Sequence, residues 1–169
     1  IQDVTVVQVK DDLDQLHTVL SQIIEAHDLV LISGGVSVGD YDFTLKALEL
    51  SEVKTIFHKV KQKPGKPLLF AVKSDTVIFG LPGNPASVLT CFYEYVLPAL
   101  ENAMGLNAGL QEIKAAATHD YPKPVGLTHF LKAFYSDGKV TPLHAQESFR
   151  LRSFAQANCF IILPEESAG

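Results

Sequence analysis

The sequence predicts an α/β unit with a parallel sheet, followed by a small unit built almost wholly of strands. Three observations carry this expectation. Apolar or β-branched runs alternate with helical periods as far as residue 104; the run 29–32 (LVLI) ends in Ser33-Gly34-Gly35; and helical periodicity nearly vanishes after Gly105. With 169 residues, 47% of them hydrophobic, the chain can bury the core of one ordinary domain or two small ones.

Taken in order, residues 4–9 (VTVVQV) have strand composition. Asp11 and Asp12 precede a helix marked by Leu13, Leu16, Leu20, Ile23 and Ile24 at helical spacing. The run 29–32 is continuous in its hydrophobicity, as expected of a strand buried on both faces. A second helix is predicted from near Asp42 to Leu50. Strands are expected at 53–60, 67–72 and 76–79, with Lys73-Ser74-Asp75 turning between the last two. Residues 85–104 read as one long helix with Val88, Leu89, Phe92, Val96 and Leu100 on one face, and Pro98 should kink its last turns. A junction falls near residues 105–109, dividing the chain into 1–105 and 106–169. Beyond it, strands are expected at 128–134, 139–142 and 159–163, with Ser136-Asp137-Gly138 as a hairpin turn.

The net charge of -5 and a pI of about 5.6 argue against non-specific nucleic-acid binding. Any anionic ligand must be met by local loops and helix ends. Cys91 and Cys159 each sit in an apolar run without zinc spacing, so both read as buried thiols of a reducing compartment. No apolar stretch has transmembrane length free of charge and Pro, and Ile1-Gln2-Asp3 is no signal peptide, so a cytoplasmic location is expected. A chain opening without Met in a strand-like run reads as a fragment.

Four stretches carry chemistry. Ser33-Gly34-Gly35-Val36-Ser37-Val38-Gly39 follows a strand directly; its three glycines let backbone approach a ligand, and its N–H groups suit an anion cradle. The spacing fits neither a Walker loop nor a dinucleotide fingerprint, and a tight turn without ligand explains the glycines too. Asp40 and Asp42 come next, each open to helix capping or to a divalent cation. Asp11 and Asp12 carry the same ambiguity, with helix capping the simpler account. In residues 58–67 (HKVKQKPGKP), Lys59, Lys61 and Lys63 share one face if the segment is a strand: a protected edge, or a row for an oxyanion. Gly80-Leu81-Pro82-Gly83-Asn84-Pro85 is a strand-to-helix turn, with Asn84 as N-cap and Pro85 as first helical residue. That geometry also aims helix N–H groups at the strand-end crevice. The histidines are scattered, with no metal spacing and no nucleophile elbow.

Three of these stretches, residues 33–42, 63–67 and 80–85, occur in the order and separation that resemble the molybdopterin molybdenumtransferase family, which includes the E domain of gephyrin. Ala157-Asn158 followed by residues 160–164 extends the resemblance over nearly the whole chain. It implies a three-layer α/β molybdopterin-binding domain, incomplete at its N-terminus, and a C-terminal β domain that stops before its final strand. The implied activity is insertion of molybdate into adenylylated molybdopterin with release of AMP, dependent on Mg²⁺. Asp42 and Asp11 match the acidic positions for the metal, and Lys59 and Lys63 match a basic pair near the molybdate or phosphate site. Ser33, Gly34 and Gly35 would receive the pterin phosphate region, with Ser37 and Gly39 of the same loop. Lys66, Pro82, Gly83, Asn84 and Pro85 complete the α/β side of the substrate set, and Ser148 and Ser153 match serines of the molybdate pocket.

The chain departs from the family in lacking its upstream acidic and Ser-Asn motifs. It also has Leu127 and Lys132 where relatives often carry Arg. The resemblance further implies a homodimer in the full-length protein, contact with other proteins of molybdenum cofactor biosynthesis, and no nucleic-acid or membrane partner. Two alternatives stay open: a molybdopterin adenylyltransferase, which typically reads Thr-Gly-Gly-Thr-Gly at the loop and lacks the β unit, and a scaffold that anchors a partner on the same fold. Asp42, Lys59 and Lys63, all present, favour catalysis over the scaffold.

Overall fold

A computed structural model describes residues 3–35, 43–106, 109–147, 149 and 151–168. Helix α1 (Leu13–Ala26) begins where Asp12 accepts a hydrogen bond from Gln15 N at 2.9 Å. It delivers the chain to β1 (Leu29–Ser33), then α2 (Phe43–Leu50), β2 (Lys54–His58), the short β3 (Gln62–Lys63), β4 (Leu69–Lys73) and β5 (Thr76–Leu81). One sheet runs β1-β5-β4-β2.

Apolar residues alternate to opposite faces of this sheet, and each face has its own helical cover. On one side Val30, Leu69, Ala71 and Ile78 pack with Leu20 and Ile24 of α1 and with Ala47 and Leu48 of α2. On the other, Phe79 and Leu81 pack with Cys91 and Val96 of the helix that follows β5. Phe57, Phe70 and Phe79 stack across three strands at centroid distances of 5.5 and 5.0 Å, each pair contributing about 1 kcal/mol beyond its area burial. The result is a three-layer α/β unit.

Several expectations needed correction. The sheet is mixed: only β1 and β5 run parallel, while β4 is antiparallel to both β5 and β2. No helix intervenes between β4 and β5, and a two-residue turn with Ser74 at φ 52° can join only antiparallel neighbours. Strand β1 lies at the sheet's edge, and Leu31 is 41% exposed, so its two faces are not both buried. Residues 4–9 form no strand; Val4, Val6 and Val7 are exposed, and no described strand pairs with them. Strand propensity alone does not make a strand without a partner.

After β5 a helical stretch runs as α3 (Pro85–Cys91), a π turn (Phe92–Val96) and α4 (Leu97–Ala103). The irregularity lies one turn before Pro98, where Leu97 N donates to Phe92 O, five residues back. Pro98 has no N–H to continue the α pattern from the preceding turn, so the adjustment is placed upstream of it.

The second sheet contains β6 (Ala116–Ala117), β7 (Thr128–Ser136), β8 (Lys139–Pro142) and β9 (Cys159–Leu163). Its β7–β8 hairpin turns on Asp137 and Gly138, both at positive φ. A five-residue helix α5 (Arg152–Gln156) interrupts the otherwise strand-built unit. Two side-chain amides complete its ladders: Asn158 pairs with both backbone groups of Tyr135, and Gln146 with both of Lys132. The sheet also takes in β3, which pairs parallel with β7. That pairing brings the segment 62–67 against the β-rich unit.

Candidate functional site

Because β1 and β5 are parallel neighbours, with Ser33 level with Leu81, the loops leaving their carboxyl ends lie side by side. A Cβ built on Gly83 would stand 4.0 Å from Gly34 Cα, so backbone meets backbone here. Gly35 has φ +70°, and a Cβ there would lie 2.8 Å from Thr44 Oγ1, which excludes other residues without local movement. Asn84 caps α3 by accepting from Ala86 N, and Pro85 opens the helix, as expected. Ser33, Gly34, Gly35, Pro82, Gly83, Asn84 and Pro85 are thus gathered at one sheet end. Ser37, Gly39, Asp40, Asp42 and Ser148 lie outside the described residues.

A second concavity of about 830 Å³ opens between the segment 62–67 and the β-rich unit. Lys63, Pro64, Gly65, Lys66 and Pro67 form one wall, with Ser87 of α3 beside them. The opposite wall includes His119, Tyr121, His129, His144, Glu147 and Phe149. Gly65 sits at φ +93° and packs on α3: a Cβ there would fall 2.5 Å from Cys91 Sγ and 2.8 Å from Gln62 Nε2. Only glycine brings this loop so close to the helix.

The expected row of three lysines does not form. Lys59 adopts φ 85°, which breaks strand alternation, and Lys61 pairs with Glu165 at 2.7 Å. That hydrogen bond and the carboxylate's charge raise the Lys61 pKa. Of the three, Lys63 lines the cleft, and Lys66 joins it. Asp11 is exposed in the bend before α1, where Asp12 and not Asp11 caps the helix. Ser153 is buried behind the cleft wall and donates to Ala145 O at 3.0 Å.

Lys132 is also a buried structural cation. Its Nζ donates to Ala145 O at 2.9 Å and Glu147 O at 3.4 Å, and lies 5.4 Å from the Phe154 ring centroid. Burial lowers its pKa, against the opposing charge of Glu147. Leu127 presents an apolar side chain to the cleft. Neither position therefore supplies the guanidinium expected of relatives; Lys132 instead shapes the 145–147 segment.

The cleft's electrostatics favour anions. Lys63 and Lys66 face three imidazoles and one carboxylate, Glu147. His129 is 5% exposed, and its Nε2 has no hydrogen-bond partner among the described residues. Burial, then the charges of Lys63 and Lys123, push its pKa down, so it sits in the cleft wall as a neutral imidazole at pH 7. Lys123 is itself buried, with Nζ donating to Leu127 O at 3.0 Å. Among the described residues, no three His, Cys, Asp or Glu side chains stand close enough to hold a metal ion. The described carboxylates therefore do not by themselves build a Mg²⁺ site.

Sequence reading passed over His119, His129 and His144, because their convergence depends on a linker, a strand and a loop meeting in space. It read Cys91 as a buried thiol, which it is, but passed over Gln62 and Tyr95, which lie with it beneath the basic loop. Gln62 stands inside a motif already singled out, but only the contact of residues 33 apart marks it as special.

Fold and site together define a three-layer α/β protein with a glycine-rich strand-end crevice and a basic loop shared with a second, strand-built unit. Its sequence matches the family described as "Probable molybdopterin binding domain" over residues 1–102, and the chain belongs to that family. Residues 114–169 match the "MoeA C-terminal region (domain IV)". The chain is 34% identical over 165 residues to the molybdopterin molybdenumtransferase of Staphylococcus aureus (strain Mu50), covering 95% of this chain and 39% of that protein. It is also 34% identical to the enzyme of the same name from Bacillus subtilis, over 96% of this chain and 39% of that protein. The chain thus spans about two fifths of the length of these relatives.

Solved structures agree. A molybdenum cofactor biosynthesis protein from Pyrococcus furiosus superposes with a TM-score of 0.73 at 26% identity, over 93% of this chain and 50% of that one. A molybdopterin biosynthesis MoeA protein from Pyrococcus horikoshii gives 0.72 at 30% identity, over 92% of this chain and 38% of that one. No described helix is long and apolar enough to cross a membrane.

Proposed function

We propose that this chain is part of a molybdopterin molybdenumtransferase, which inserts molybdate into adenylylated molybdopterin with release of AMP. The observation that carries the reading is the basic loop: Lys63 and Lys66 stand on a turn fixed between α3 and β7, facing an imidazole-lined cleft. Both reactants are anions, and their approach is opposed by charge. Fixed ammonium groups in a partly dehydrated cleft lower that repulsion without having to reorganise during reaction. Lys63 and Lys66 hold the oxyanion, and the Ser33–Gly35 and Pro82–Asn84 loops receive the pterin phosphate region. The apolar side chains of Phe130, Leu131 and Phe149 limit water in the cleft.

Mg²⁺ at Asp42, with Asp11 as a second carboxylate, belongs to the proposal as the family expectation. Lys59, which is not among the residues lining the cleft, retains a proposed role at its periphery. A homodimer, a cytoplasmic location and contact with other proteins of molybdenum cofactor biosynthesis complete the proposal. The match of residues 114–169 to a MoeA C-terminal region weighs against an adenylyltransferase that lacks such a unit.

The test is molybdate-dependent cofactor formation from adenylylated molybdopterin with AMP followed in parallel, using the full-length protein with Mg²⁺ beside Asp42→Ala and Lys63→Ala. Activity in the parent and its loss in folded variants is the expected result. A parent that folds and binds the pterin yet releases no AMP would overturn the enzyme reading in favour of a scaffold.

A further inference from the structure

The basic loop is held from beneath by a chain of side chains that the transferase reading does not use. Tyr95, on the π turn, donates its hydroxyl proton to Gln62 Oε1. Gln62 Nε2 donates in turn to Pro64 O at 3.0 Å and to Cys91 Sγ at 3.7 Å, and the Cys91 thiol donates to Gly65 O at 3.7 Å. The directions follow from chemistry. Pro64 O can only accept, so the Gln62 NH₂ must face it; that leaves the Gln62 carbonyl toward Tyr95, whose hydroxyl must therefore donate. Burial raises the pKa of Tyr95 and pushes the Cys91 thiol up to about 12, so both keep their protons. The carbonyls of Pro64 and Gly65, which lie between Lys63 and Lys66, are both engaged from this side.

We propose that Tyr95, Gln62 and Cys91 are positioning residues that set the loop carrying Lys63 and Lys66 in its anion-binding shape, with the π turn holding Tyr95 in reach of Gln62. The proposal rests on the reading of those lysines as oxyanion ligands. Tyr95→Phe removes one hydroxyl and keeps the ring. Gln62 Oε1 is then left without its donor, so the amide that donates to Pro64 O is held by one contact fewer.

Two readouts in the full-length protein test this. Backbone deuterium uptake across residues 61–68, measured without ligand, should quicken about tenfold in Tyr95→Phe, the scale of one lost buried hydrogen bond. The remaining sheet should exchange as in the parent. The KM for molybdate should rise by about the same factor while kcat changes less. Gln62→Met should give both effects, and the double variant should be no worse than the worse single, since both act through one chain. If Tyr95→Phe does not fold, Gln62→Met carries the same two measurements.

Unchanged exchange at 61–68 overturns the inference whatever the anion result. Faster exchange with an unaltered KM overturns it too, because anion binding would then not depend on this support. If instead Lys63→Ala binds molybdate as tightly as the parent, it is the oxyanion reading of the loop that fails, and the exchange experiment still decides the network.

Discussion

Lys63 stands level with His129 in the parallel pairing of β3 with β7, so an ammonium carried by the α/β unit and a buried imidazole of the β-rich unit are register partners. Burial first, and then the Lys63 charge that this pairing brings near, lower the pKa of His129, and both residues line the same cleft. Four expectations follow from this and neighbouring contacts.

The first concerns pH. Burial and the charges of Lys63 and Lys123 lower the folded-state pKa of His129 below its unfolded value near 6.5. Between the two values the unfolded chain binds more protons, so this site's contribution favours folding above about pH 6.5 and is lost as pH falls toward the folded pKa. His129→Gln should flatten the part of the melting-temperature profile between pH 7.5 and 5.5. An identical profile in the variant would remove His129 as its source.

Gly65→Ala places a methyl group 2.5 Å from Cys91 Sγ, at a backbone φ of +93°. Steric and backbone strain together should cost about 2–4 kcal/mol, read by urea denaturation. Adding Cys91→Ala relieves the contact but not the φ, so the pair should recover only part of the loss. Additive losses would mean that the thiol is not the obstacle.

Lys132→Met keeps a similar length and leaves the carbonyls of Ala145 and Glu147 without this donor. The expected cost is about 1–3 kcal/mol. Limited proteolysis should show faster cleavage at residues 145–149. Equal cleavage rates would assign the hold on that segment to Gln146 and Ser153 instead.

Lys61 and Lys63 are two residues apart but should behave differently. Lys61 is exposed and tied to Glu165, so Lys61→Ala should leave molybdate affinity and melting temperature unchanged. Lys63→Ala removes a cleft cation and should weaken molybdate binding by about tenfold or more, measured by calorimetry. Equal effects would restore the idea of a continuous lysine row.

Much of the fold could be read locally. Asn84-Pro85, Asp137-Gly138 and the helix of Leu13, Leu16 and Leu20 obey capping, turn and periodicity rules that act within a few residues. The glycine-rich loop after β1 and the Pro-Gly turn at 64–65 were visible for the same reason, since close backbone approach demands glycine. What stayed hidden depends on distant partners. Residues 4–9 have strand composition but no described pairing, and β4 reverses direction because of a turn whose consequence for sheet order is global. The lysine row failed on one residue, Lys59, whose positive φ no propensity for Lys anticipates. The three histidines of the cleft come from a linker, a strand and a loop, so no spacing along the chain announces them.

The two-residue strand β3 has a consequence for any chimera. Gln62 and Lys63 belong covalently to the α/β unit yet are hydrogen-bonded into the other unit's sheet, opposite Thr128 and His129. Grafting a relative's C-terminal unit onto this chain would therefore also exchange the neighbours of Lys63. Such hybrids also change the partner of Tyr93, whose ring meets that of Phe160 at 6.3 Å, and should differ in their grip on the anion; swapping positions 128–129 back is the smallest repair of the Lys63 neighbourhood.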